Sequence, residues 1–205
     1  MRFLVGSLAL LAATVCGQNL VEWTEASSGV QYSIGIPEAA AAPFDVYLSI
    51  TAPANITYAA IAFGGCMLRS PLLVAWKSNS SIVTSSRWAA AYHPPTIYNG
   101  TAVAISKTSS VNSTYWTAEL VCSGCSSWLG GSVGAFGNVP LGWALSSSPL
   151  ANPASSNGSI PYHNVGKDHF EINITNARNT PSQFGALISG AKRPWSPRRP
   201  PLALV

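Results

Sequence analysis

Charge is what this 205-residue chain has least of: Asp, Glu, Lys and Arg make up 9% of it, against about 25% in an ordinary globular protein. With 47% hydrophobic residues it carries too much apolar surface to stay disordered through self-repulsion, so it must fold or aggregate. Its formal charge of +4 belongs to the ends. Arg2 opens the chain, and Lys192, Arg193, Arg198 and Arg199 lie near its close. Between residues 19 and 190, six bases face all seven acids, a net of −1. Such a body has no field with which to neutralise phosphates, which disfavours nucleic-acid binding.

Acid and base catalysts are equally scarce. A glycosidase needs two carboxylates flanking the scissile bond, yet the acids here are mostly isolated, and no GxSxG nucleophile elbow is present. No catalytic acid, base or nucleophile site emerges. Long apolar runs are also missing, with one exception. Residues 1–17 place Arg2 before "FLVGSLALLAATV" and small residues at "VCGQ", the layout of a secretory signal cleaved near Gly17 or Gln18. The run falls short of the about 20 apolar residues a lasting membrane span needs, so no membrane span is expected.

Asn-x-Ser/Thr sequons occur at Asn55, Asn79, Asn99, Asn112, Asn157 and Asn173. Spread along the whole body, they point to a secreted, extracellular glycoprotein whose few charges are supplemented by glycans. After Gly190 the stretch "AKRPWSPRRPPLALV" is basic and Pro-rich and reads as a disordered tail over 191–205. One domain over 18–190 remains.

Cysteine is sparse too. If the signal is removed Cys16 goes with it, leaving Cys66, Cys122 and Cys125. In an oxidising compartment Cys122 and Cys125 form the natural disulfide and Cys66 is the odd thiol. A thioredoxin-like reading of "CSGC" lacks a βαβ context, a zinc ribbon lacks a second Cys pair, and covalent haem attachment lacks a His at Ser126.

What is abundant is Gly (17), Pro (15), Ser, Thr and Val, with 10% aromatics, a mixture that suits short strands and many turns. Apolar runs bounded by Gly, Pro, Asn or Ser recur at 30–36, 44–50, 58–63, 72–76, 81–85, 101–106, 115–121, 141–146 and 169–175. Nine short strands at this spacing predict an all-β, two-sheet antiparallel, immunoglobulin-like β-sandwich. The stretch 86–93 reads as either a weak helix or only a wide connection.

One segment stands out: "AFGGCMLRSPLLVAW", in which Met67 follows a strand and the pair Gly64 and Gly65. The glycines allow the backbone to bend or to approach a flat object closely. With "STYWTAELVCSGCSSW" and "PYHNVGKDHFEINITNARN", this segment resembles the haem b cytochrome domain of fungal cellobiose dehydrogenases, within the DOMON class of β-sandwich domains. The resemblance covers most of the body.

It implies a non-covalent haem b held by Met67 and His163, and a structural disulfide at Cys122 and Cys125. A thioether on one face and an imidazole on the other fill both axial positions, which suits electron transfer and leaves no place for oxygen or substrate. His169, opening a strand, competes with His163 for the ligand role, whereas His93, before two prolines, reads as a turn residue. Cys66 departs from the family pattern. If its segment is extended, its side chain and that of Met67 point to opposite faces. Trp76, Trp88 and Tyr92 are candidate haem walls, and Arg87 a candidate partner for a propionate.

The function implied is a one-electron relay and not a substrate-transforming enzyme. In the family the donor is an attached flavin domain. No GxGxxG fingerprint follows this body, so a separate flavin dehydrogenase or small reductant is expected to donate. A copper polysaccharide monooxygenase, ferric iron or a quinone would accept. The alternative is a haem-free secreted β-sandwich module that binds carbohydrate or another ligand.

Overall fold

The computed structural model describes residues 17–38 and 42–190. The segment read as a signal, apart from Gly17, and the basic segment after Gly190 lie outside these residues.

The strands in chain order are β1 (Val21–Thr24), β2 (Gln31–Pro37), β3 (Val46–Pro53), β4 (Tyr58–Ala62), β5 (Leu72–Ser78), β6 (Ser81–Trp88), β7 (Thr96–Ile97) and β8 (Ala102–Ile105). There follow β9 (Ser110–Val111), β10 (Tyr115–Ser123), β11 (Ser127–Trp128), β12 (Gly131–Ser132), β13 (Asn138–Ser146), β14 (Gly166–Asn173), a 3-10 turn (Ile174–Ala177), β15 (Arg178–Asn179) and one helix, α1 (Pro181–Ile188). One sheet runs β1-β2-β3-β10-β8, with β9 on β10 and β15 parallel to β2, and the second runs β14-β13-β4-β5-β6-β7. The remaining pairs in both sheets are antiparallel. This is the expected two-sheet sandwich.

Period-2 alternation builds its core. Leu48, Ile50 and Ala52 of β3 and Trp116, Ala118 and Leu120 of β10 face inward from the first sheet. Ile61, Leu73, Leu141, Leu145 and Phe170 meet them from the second. Trp116 is fully buried and donates its indole N–H to the Ile56 carbonyl at 2.9 Å, which satisfies its polar atom. The β5–β6 hairpin turns tightly between Ser78 and Ser81, with Asn79 at φ 54°. Asparagine tolerates this left-handed conformation, so it suits the turn.

All nine predicted strands are present. The helical reading of 86–93 is overturned: β6 continues as strand through Trp88, and the chain then bends. Here the pairing of Arg87 with Ile97 and Leu72 outweighs local alanine propensity. The helix lies instead at Pro181–Ile188, where Thr180 accepts from the Gln183 N–H and Gln183 returns the bond to the Thr180 N–H. That capping box, with Pro181 at the first helical position, is legible in "TPSQ". The helix lays Phe184 and Leu187 over Tyr47, on the outer face of the first sheet.

Leu73 is fully buried, whereas Leu129, at the tip between β11 and β12, is 93% exposed. Leu73→Ala is expected to cost about 2–5 kcal/mol of stability, and Leu129→Ala to stay within about 0.5 kcal/mol. Denaturant unfolding of the two variants measures both.

Candidate functional site

Strand β4 is buried along its whole length. Ala59 and Ile61 point into the sandwich core, while Tyr58, Ala60 and Ala62 point outward and are also covered. Beside them on the outer face lie Leu72 and Val74 of β5 and Gly142 and Ala144 of β13. Most of these side chains are small, so the covering chain stands off from the sheet and leaves a cleft of about 610 Å³. That is within the roughly 300–1,000 Å³ of small-molecule and cofactor sites.

One side of the cleft is the turn after β4. Gly65 has φ 78°, and a Cβ there would come within 2.9 Å of the Pro140 side chain. A Cβ on Gly142 would come within 3.0 Å of the Gly65 carbonyl oxygen. Gly65 therefore closely approaches β13, whereas a Cβ on Gly64 would come within 2.6 Å of the Ser70 side chain. Packed against β13, the turn carries Cys66 and Met67 along the cleft, and both residues line it. The segment is bent and not extended, so the expectation that these neighbours face opposite sides does not hold. Cys66 is an exposed free thiol whose S–H lies 3.5 Å from the Leu68 carbonyl.

The other side is the long connection from β13 to β14, which folds back over the outer face. Loops of this length are usually functional. Its hold on the sheet comes from buried side chains. Trp76 donates its indole N–H to the Pro153 carbonyl at 2.7 Å. Arg87, only 4% exposed, donates to the carbonyls of Ser156 (3.0 Å) and Gly158 (2.6 Å) and to the Ser85 hydroxyl (2.6 Å). The Tyr58 hydroxyl donates to the Pro161 carbonyl at 3.0 Å.

Clamped this way, the connection brings His163 into the lining. Its Nδ1 is buried without a hydrogen-bond partner, and burial pushes its pKa below the ordinary histidine value. Desolvation disfavours the charged form and so favours the neutral imidazole, the form in which histidine ligates metals. The Tyr162 ring lies 4.2 Å from the His163 ring.

Met67 and His163, far apart in sequence, thus line one cleft. His169 lines it too, from the outer side of β14 opposite Gly142. It is largely exposed, with Nδ1 3.0 Å from an Asp168 carboxylate oxygen. His93 is exposed, as expected of a turn residue, but it also reaches the cleft mouth with Tyr92, which is 78% exposed. Two of the three candidate wall aromatics are employed elsewhere: Trp76 holds the connection, and Trp88 stacks on Tyr98 at 5.0 Å between ring centroids. The bonds of Arg87 to Ser85, Ser156 and Gly158 likewise make it a structural clamp. Cys122 and Cys125 are disulfide-bonded.

These residues fit a b-type haem. The floor is flat and apolar, the donors are a thioether and a neutral imidazole, and the imidazole has a buried nitrogen that no protein group satisfies. Among the described residues no group of three or more His, Cys, Asp or Glu is arranged to hold a bare metal ion. No helix among them is long and apolar enough to cross a membrane.

Comparisons with known proteins agree with this reading. The family model for the cytochrome domain of cellobiose dehydrogenase matches residues 14–183. A pyrroloquinoline quinone-dependent pyranose dehydrogenase of Coprinopsis cinerea is 29% identical over 193 residues, covering 86% of this chain and 27% of that protein. The chain therefore spans about a quarter of the length of that curated relative. The crystal structure of the cytochrome b domain of pyranose dehydrogenase from Coprinopsis cinerea matches with a TM-score of 0.78 at 24% identity, over 85% of this chain and 91% of that one. The cytochrome domain of Myriococcum thermophilum cellobiose dehydrogenase gives 0.69 at 24% identity, over 87% and 99%. These structural likenesses establish the fold.

Gly65→Ala is expected to lower stability by about 1–3 kcal/mol, through the left-handed backbone and the Pro140 contact. Gly29, also at positive φ but with open space around it, should lose less when changed to Ala. Thermal unfolding of the pair separates the backbone cost, which they share, from the contact unique to Gly65.

Proposed function

The chain belongs to the family of cytochrome domains of cellobiose dehydrogenase, and on that premise we propose that residues 18–190 form a secreted haem b domain that relays single electrons. The observation that carries this reading is the meeting of Met67 and His163 along one apolar cleft, with the His163 Nδ1 buried and unpartnered. Bound there, the haem would supply a one-electron iron couple.

The side chains do the rest. Met67 would hold the haem iron through its thioether and His163 through its imidazole, and the soft neutral thioether would favour the reduced state of the iron. Burial favours the unprotonated form of His163, the form that ligates. The apolar floor lowers the local dielectric and keeps bulk water away. Tyr92 and Tyr162, exposed at the mouth, offer partners a contact surface beside the site. All six sequon asparagines are exposed and none lines the cleft, so glycans would leave this approach open.

The donor we infer is an extracellular sugar-oxidising dehydrogenase. A flavin enzyme fits, and the relative from Coprinopsis cinerea carries pyrroloquinoline quinone in its name, so a quinone-dependent donor fits equally. The acceptors proposed are a copper polysaccharide monooxygenase, ferric iron or a quinone.

Absorption spectroscopy of the purified protein tests the assignment. The native protein should bind one haem that acid-organic extraction removes, since no CxxCH motif attaches it. His163→Ala should lose the low-spin six-coordinate spectrum and most of the haem. Met67→Ala should keep haem but admit carbon monoxide, and His93→Ala should change neither. An unaltered spectrum in His163→Ala would pass the ligand role to His169. Failure to bind haem on reconstitution would leave a ligand-binding sandwich in place of a cytochrome.

A further inference from the structure

A second, smaller depression lies away from the cleft, where β6, the β7–β8 segment and the β13–β14 connection meet. Its volume is about 200 Å³, below the roughly 300 Å³ at which drug-sized ligands begin and suited to a single small ring. The lining has two characters. Thr84, Ser86, Thr101 and Ser156 supply polar groups, while Ile97 and Val103 supply a smaller apolar part. Ser86 and Thr101 already share a hydroxyl hydrogen bond. Hydroxyl-rich walls with a small apolar part match a sugar, which presents hydroxyls at its rim and C–H groups on its faces.

Asn157 also lines this depression. It is exposed, and it opens the sequon Asn157-Gly158-Ser159. A sugar on its amide nitrogen would begin at the edge of the depression, with no linker to span. We propose that Asn157 carries an N-linked glycan whose first N-acetylglucosamine seats in this depression against the hydroxyl-bearing wall of Thr84, Ser86 and Thr101. The seat has a structural consequence. Residues 153–158 are the part of the connection that Trp76, Ser85 and Arg87 hold, and the same connection continues directly into His163. A sugar bound to both Asn157 and the β6–β8 surface adds a further fastening between sheet and connection.

A second sequon, Asn99-Gly100-Thr101, borders the same depression through Tyr98 and Thr101. Asn99 itself is not part of the lining, which is why Asn157 is the assigned source. The test uses the full chain secreted from a eukaryotic host that makes high-mannose glycans, with peptide mapping for occupancy and thermal unfolding as readout. Ser159→Ala removes the sequon while keeping Asn157, and it is expected to lower Tm by about 3 °C. Trimming the native protein with an endoglycosidase that leaves one N-acetylglucosamine should leave Tm unchanged, because the seated sugar remains. Asn55→Gln, at an exposed turn, is the control and should match the native protein. An unmodified Asn157 in the peptide map would overturn the proposal. So would equal Tm values for Ser159→Ala and the trimmed protein, or a loss of Tm in Asn99→Gln with none in Ser159→Ala. Haem content plays no part in these readouts, so their failure leaves the cytochrome assignment untouched.

Discussion

Strand β4 sits at the centre of a sheet with apolar side chains on both of its faces, and the rest of the structure follows from the need to cover the second one. The inner face is covered by the opposing sheet, as in any sandwich. Among the described residues, no helix lies over the outer face. The chain instead lays the β13–β14 connection across the half bearing Tyr58, Val74 and Trp76 and leaves the half bearing Ala62 and Gly142 to the Met67 turn and the cleft. Exposed, so much apolar surface would be an aggregation hazard. Covered in this way, it becomes a site.

Holding an irregular connection on a sheet raises a second problem, because its carbonyls are sealed against the sheet and need donors. Arg87 solves it with a guanidinium that serves Ser156, Gly158 and Ser85 together. Burial drives its pKa down from the usual arginine value, yet arginine starts so high that it stays charged. Charge-assisted bonds to neutral carbonyls are stronger than ordinary ones. The rigidity this gives the connection is passed along the chain to His163, which sits opposite a turn fixed by glycine-to-backbone contact. Both candidate ligands are therefore presented by backbone that packing constrains, the condition for a site to exist before its cofactor arrives.

Much of this was legible in the residues themselves. Alternating or compact apolar runs bounded by Gly, Pro, Asn or Ser specified nine strands. The Gly-Gly-Cys-Met segment and "PYHNVG" marked the residues that line the cleft, and "CSGC" in a Cys-poor chain marked the disulfide. The capping box at Thr180 to Gln183 was equally readable and shows that a short helix announces itself by its ends more than by its composition.

Other assignments were open until the tertiary structure closed them. Sequence placed Arg87, Trp76 and Trp88 as cofactor neighbours because an arginine and two tryptophans look the same whether they meet a ligand or a loop; only the fold of the connection over β5 and β6 decided that Arg87 and Trp76 hold carbonyls. Sequence placed Cys66 and Met67 on opposite faces only if their segment were extended, and the bend there, with Gly65 packed against β13, placed both on the cleft. Local pattern determines which residues pair along a strand, because pairing obeys a period of two. Which segments cross the outer face, and which histidine they bury, depends on contacts between residues some seventy positions apart, such as Arg87 and Ser156, and no local period encodes those.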